Sequence, residues 1–289
     1  MSKKDTFIPD WTEQPPEEGT YRSIFKWGDP KAFKHPNPKL YKEMKHIFNI
    51  TDDAFQRKES DGREKVEFKK KVKLTKAQVE KFEKIVGSEN ISSDEYQRLK
   101  YSTGKTIEEA MKLRNEIIDR VSDLVVHPRN KEDVQQIVKY CNQQKIPVYV
   151  YGGGSSVNFG LLPVKGGVTL VLNSHMNKIV ELNETNQTVT VEAGMMGPAL
   201  EDALNNAPEK LKAKRNYTCG HFPQSFEYSS VGGWIVTLGS GQGSSYYGDA
   251  YDLVLAMEWI TPTGSFTTHE YPATATGPKV NDIMKGSEG

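Results

Sequence analysis

In the first third of the chain, apolar residues recur at helical spacing inside heavily charged surroundings, whereas beyond about residue 119 they gather into short runs of strand length. Thr75 stands as the N-cap of a helix whose apolar side is Val79, Phe82, Ile85 and Val86, with Gly87 as its stop. Ser92 or Ser93 is expected to open a second short helix through Tyr96 and Leu99. Thr106 caps a third, with Ile107, Met111 and Leu113 on its apolar side. The charged faces of these segments read as solvated surface.

From Val121 the pattern becomes strand, helix, strand. Residues 123–126 form a short apolar strand, and Asn130 then caps a helix with Glu132 and Asp133 in its first turn, where they favour the positive end of the dipole. Val134, Ile137, Val138 and Cys141 recur at i, i+3, i+4 and i+7, so Cys141 is expected to be a packed thiol. Residues 148–151 read as a second buried strand, which a right-handed crossover sets parallel to the first. Residues 178–182 and 188–193 alternate and pair through the loop 183–187, and Pro198 opens a helix through Leu200 and Leu204. A second hairpin joins residues 253–260 to 265–268. The fold class is α+β, with a small parallel βαβ unit followed by antiparallel strands and flanking helices. The expected division is a mostly helical region, 1–118, packing on a domain spanning 119–289.

Composition sharpens that division, since five of the 24 glycines precede residue 119 and the other nineteen follow it. Lys plus Arg and Asp plus Glu both number 38, which gives no charge imbalance pointing to nucleic acid. Cys141 and Cys219 stand far apart without spaced histidines, so neither a metal site nor a disulfide framework is expected. No apolar run approaches the roughly 20 residues that span a bilayer, and no signal-peptide core follows Met1. A reduced, soluble, cytoplasmic protein is expected.

The candidate chemistry lies in glycine. Val150, Tyr151, Gly152, Gly153, Gly154, Ser155 and Ser156 close the second strand of the parallel unit, and three successive residues without Cβ let several N–H groups aim at one point, as a diphosphate requires. Such a loop can equally be a tight turn, and it lacks the G-x-G-x-x-G spacing of a Rossmann site. A second glycine-rich run, residues 229–236, is read as the start of an apolar strand where another group approaches closely. Residues 237–243 continue it with small residues and donors. Two cradles some eighty residues apart in sequence suit a dinucleotide better than a single phosphate. Gly104, Lys105 and Thr106 imitate the end of a Walker A loop, but Leu99 stands where its first glycine belongs. Cys219 and His221 lack further ligands at metal spacing, and His221 is read as a loop histidine.

Four stretches carry a resemblance: residues 120–128 (RVSDLVVHP), 151–156 (YGGGSS), 220–234 (GHFPQSFEYSSVGGW) and 247–254 (YGDAYDLV). Together they resemble the FAD-binding domain of the vanillyl-alcohol-oxidase and para-cresol-methylhydroxylase (PCMH-type) superfamily. Residues 26–30 (KWGDP), 102–106 (STGKT) and 221–225 (HFPQS) are similar to the alkylglycerone-phosphate synthase family in particular. The resemblance implies an FAD whose diphosphate rests on Tyr151 to Ser156, with Val150 also in contact with the cofactor. Further flavin contacts are implied at Gln224, Ser225, Phe226, Glu227, Tyr228, Ser229 and Ser230, at Thr237, Leu238, Gly239 and Ser240, and at Glu288 and Gly289. Leu238 replaces an arginine common in the synthases, and the first loop has Gly154 and Ser155 where covalent flavoproteins carry histidine, so non-covalent FAD is expected.

The implied activity is exchange of an acyl for an alkyl group on glycerone phosphate, in ether-lipid synthesis. The alternatives are an FAD-dependent oxidase or dehydrogenase of a 2-hydroxy acid or alcohol, and a flavin-binding fragment without activity. The substrate half and the catalytic residues are expected beyond Gly289, where the sequence stops. A small-molecule or lipid-like substrate is implied, and peripheral membrane contact and a homodimer are compatible with it.

Overall fold

The computed structural model describes residues 13–33, 35–56, 60–271, 275 and 277–288. Contacts divide the chain into two units, one of residues 1–68 and 105–119 and one of residues 69–104 and 120–289. Residues 69–104 thus join the second unit.

In the first unit, helix Tyr21–Phe25 packs against helix Ile107–Arg114. Tyr21 is buried, its backbone N–H reaching the Glu64 carbonyl and its hydroxyl the Glu67 carbonyl (3.2 and 3.0 Å). Thr106 caps Ile107–Arg114 as predicted, in a reciprocal box with Glu109. Only Leu113 of the predicted apolar side is buried; Ile107 and Met111 are exposed.

The second unit is built on a four-stranded sheet of β1 (Ile91–Ser92), β2 (Leu124–Val126), β3 (Val148–Tyr151) and β4 (Val168–Val171), in the order β1-β2-β4-β3. β2 and β3 are parallel, yet they do not touch, because β4 lies between them and pairs with each. The short run at β4 was not read as a strand from sequence, although all four of its residues are buried. Its central place moves β3 to the edge, so Val150 is exposed where a buried strand was expected.

One face of this sheet is closed by helices Lys76–Val86 and Lys131–Gln144. Phe82, Ile85 and Val86 meet Leu124, Val126, Ile137, Cys141, Val168 and Leu170 in one core, where each large aliphatic side chain removed from water contributes about 1.5–3 kcal/mol. Cys141 is the packed thiol that its spacing predicted, and burial pushes it up to about 12. Thr75 caps the first of these helices, Asn130 the second. Arg129 binds them together, donating to the Ile85 carbonyl (2.7 Å) and to the Asp133 carboxylate (2.8 and 3.0 Å). The next helix, Glu95–Lys100, is capped by Asp94 rather than by Ser92 or Ser93, because Ser92 is drawn into β1.

Two hairpins complete the unit. In β5 (Ile179–Asn183) and β6 (Thr188–Val191), Asn183 pairs with Thr188, so the loop is 184–187, one residue shorter than predicted. β7 (Glu258–Thr261) and β8 (Gly264–Thr267) form the second. Leu253 belongs to helix Ala250–Leu253, and the strand expected from 253 starts at Glu258.

The largest correction concerns residues 229–236. They form helix Val231–Val236, not a strand, with the Ser230 hydroxyl accepting the Gly233 N–H as its cap. Side-chain-free Gly232 lets the helix lie on Ala193: a Cβ there would stand 2.8 Å from the Ala193 carbonyl oxygen. Trp234 on this helix packs with Met195, Leu200, Leu204 and Ala250 in a second core beneath β5 and β6. Among the described residues no helix is long and apolar enough to cross a membrane.

Candidate functional site

The parallel strands β2 and β3 flank β4, and rings that follow or end them pack in series behind the glycine loop. Burial raises the Tyr151 phenol, so it is a neutral group, and its ring stands edge-on to Tyr101 at 4.8 Å. Tyr101 in turn meets His127, which follows β2, at 5.5 Å. The Tyr151 hydroxyl lies where a Cβ on Gly154 would fall, at 2.0 Å, and Gly154 has a left-handed φ of +75°. A side chain at Gly154 is therefore excluded by both space and backbone.

The loop is pressed against the second predicted stretch. A Cβ on Gly153 would lie 2.1 Å from the Tyr228 carbonyl oxygen, and one on Gly152 would lie 2.1 Å from the Ser230 hydroxyl. That second stretch is a 3-10 turn, Phe226–Tyr228, leading to Ser229 and Ser230, both buried. Ser229 receives the Trp234 indole N–H (2.6 Å) and donates to the Ser225 carbonyl (2.8 Å), while Phe226 packs its ring into the second core. Gln224 and Glu227 are exposed.

The third stretch is the unwinding end of helix Val231–Val236. The N–H groups of Thr237, Leu238 and Gly239 all bond back to that helix, and the Thr237 hydroxyl donates to the Gly233 carbonyl (2.7 Å). Leu238 has a φ of +54° and lies against Gly286. The fourth stretch hangs from the same helix end, since the Gly286 and Glu288 N–H groups bond the carbonyls of Ile235 (3.3 Å) and Val236 (2.9 Å). Glu288 then reaches the first loop through Asn158, whose amide donates to its carboxylate (2.6 Å). The four stretches thus close a ring within the second unit. Gly289 lies outside the described residues.

Unpaired backbone donors follow one another without a break along the first loop. Seven consecutive backbone N–H groups, at residues 153–159, find no acceptor among the described residues, and in the second stretch those of Gln224, Ser225, Glu227, Ser229 and Ser230 find none, whereas the third and fourth stretches have spent most of theirs on the helix end. Residues 153–156 are buried or half-buried, where N–H groups without a partner are rare in proteins and mark a place where an acceptor belongs. An array of amides at the end of a parallel strand suits a dianionic diphosphate and requires no basic side chain. Asn158 was missed in the sequence because its amide acts through a residue 130 positions away.

His221 packs against the helix that bears the third stretch. It is 3% exposed, its ring is edge-on to Trp234 at 5.2 Å, and neither ring nitrogen has a hydrogen-bond partner among the described residues. Burial lowers its pKa, against the opposing pull of Asp249. The Asp249 carboxyl is itself held below its ordinary range by the hydroxyls of Ser240 and Ser244. Cys219 donates to the His221 backbone carbonyl, not to its ring.

Residues 122–269 match the family of FAD binding domains. The alkyldihydroxyacetonephosphate synthase of Trypanosoma brucei brucei is 29% identical over 264 residues, covering 86% of this chain and 41% of that protein. A solved alkyldihydroxyacetonephosphate synthase superposes with a TM-score of 0.70 at 26% identity, over 77% of this chain and 39% of its own. The p-cresol methylhydroxylase structure with substrate bound shares the fold, with a TM-score of 0.53 at 19% identity over 74% of this chain and 42% of its own. The chain spans about two fifths of the length of the synthases it matches.

Proposed function

The chain belongs to the FAD binding domain family, and on that footing we propose that it holds FAD non-covalently, with the diphosphate on the N–H groups of residues 153–157. The run of unpaired amides at the end of β3 carries this reading. Non-covalent attachment is supported by composition: residues 150–156, 224–230, 237–240 and 286–288 contain neither histidine nor cysteine.

The flavin would serve an enzyme akin to alkyldihydroxyacetonephosphate synthase, exchanging an acyl for an alkyl group on a lipid-like glycerone phosphate. FAD supplies an electron-accepting ring when bound. The contribution of these residues is to fix the dinucleotide: amides for the diphosphate, the Gly153 contact to set the loop, and the helix end at residues 235–239 to hold the last stretch in place.

Purified protein supplied with FAD is expected to show flavin absorbance after gel filtration, and acid precipitation to release all of it. Protein that retains no flavin would overturn the reading, and flavin left in the acid pellet would overturn non-covalent binding. Acylated glycerone phosphate with a long-chain alcohol should yield the ether product; turnover of 2-hydroxy acids with a dye acceptor, and not of this pair, would favour the dehydrogenase alternative.

A further inference from the structure

Ser156 closes the glycine loop, and its hydroxyl is engaged on both sides within the chain. It donates to the Asn158 side-chain oxygen (2.8 Å) and accepts the Gly160 N–H (3.0 Å). The same Asn158 amide donates through its nitrogen to the Glu288 carboxylate (2.6 Å). Glu288 is fixed independently, by its N–H on the Val236 carbonyl and a left-handed φ of +60°. One planar amide therefore connects a hydroxyl on the first loop to a carboxylate on the last stretch, with a donor facing each acceptor.

We propose that Asn158 is a positioning residue for the dinucleotide, an amide latch that sets the register of the Glu288 stretch on the diphosphate loop. The inference rests on the flavin reading. Its physical basis is the charge of Glu288. A carboxylate near a diphosphate is repulsive, and it is tolerable only where a donor holds it turned away. Asn158 provides that donor without adding charge, and its oxygen at the same time accepts the Ser156 hydrogen bond, so that the loop amides are left to bind the diphosphate.

The chemistry predicts a swap. In Asn158→Asp two carboxylates face each other, and Ser156 can satisfy only one. In Asn158→Asp combined with Glu288→Gln, the new amide donates back to the new carboxylate and every partner is restored. Asn158 and Glu288 are exposed, so the unliganded fold should hardly notice either change.

FAD fluorescence quenching measured on the full chain tests this, with thermal melts of the same flavin-free proteins. Asn158→Ala is expected to weaken FAD by about tenfold and Asn158→Asp by more, with the double variant returning to within about threefold of the parent. Melting temperatures should stay together. If the parent quenches no FAD, the flavin reading itself falls. If the parent binds and Asn158→Asp binds equally well, or if Glu288→Gln does not rescue it, the latch is overturned.

Discussion

A Cβ on Gly153 would stand 2.1 Å from the Tyr228 carbonyl oxygen. The two glycine-containing regions of this chain are therefore in direct contact, and the absence of a side chain at Gly153 is required by backbone meeting backbone. Gly153→Val must push the loop off the Phe226–Tyr228 turn. We expect a stability loss of about 1–3 kcal/mol in urea titrations together with loss of flavin absorbance after gel filtration. A stable Gly153→Val protein with full flavin content would show that this contact does not set the loop.

Trp234 supports the other side of the contact. Its indole N–H reaches the Ser229 hydroxyl at 2.6 Å within the second core. Trp234→Phe keeps most of the ring packing and removes that donor, so a loss of about 1 kcal/mol is expected, while the Ser229–Ser225 bond persists. Denaturant midpoints of the two proteins measure it.

Side chains that act within one turn of their own backbone were readable from the sequence. Thr75, Thr106 and Asn130 were recognised as caps because a hydroxyl or amide three residues before a helical N–H leaves a local signature. Cys141 was recognised through the stripe it shares with Ile137. The run at residues 229–236 was misread because six apolar or small residues fit a strand as well as a helix, and only the Ser230 cap and the contact of Gly232 with Ala193 decide it. β4 was missed for a related reason: four residues carry no period, and its place in the sheet depends on two partners distant in sequence. At the candidate site the glycine loop was legible, but the ring that brings residue 288 to residue 158 was not.

Both thiols should be silent in the folded protein. Burial pushes Cys141 up to about 12 and Cys219 up to about 11, so neither forms appreciable thiolate at pH 8, and thiolate is the reactive form. A disulfide reagent is expected to titrate almost nothing in native protein over minutes and two thiols per chain after denaturation. Rapid native modification of Cys141 would contradict its place in the core.

Burial also lowers the pKa of His221 and His127 from 6.5. A histidine depressed in the folded state contributes stability that is present above pH 6.5 and lost as pH falls toward the folded value, because the unfolded chain takes up the proton first. Urea midpoints should therefore decline between pH 6.5 and about pH 5, before most carboxylates titrate. His221→Phe, which keeps a ring against Trp234, should flatten that decline. An unchanged slope would show that His221 does not titrate differently in the two states.

A structure of the chain with FAD bound tests most directly where the diphosphate sits. Diphosphate oxygens are predicted within about 2.7–3.2 Å of backbone nitrogens among residues 153–157. A bound flavin whose diphosphate is held elsewhere, with those nitrogens still unpaired, would contradict this placement.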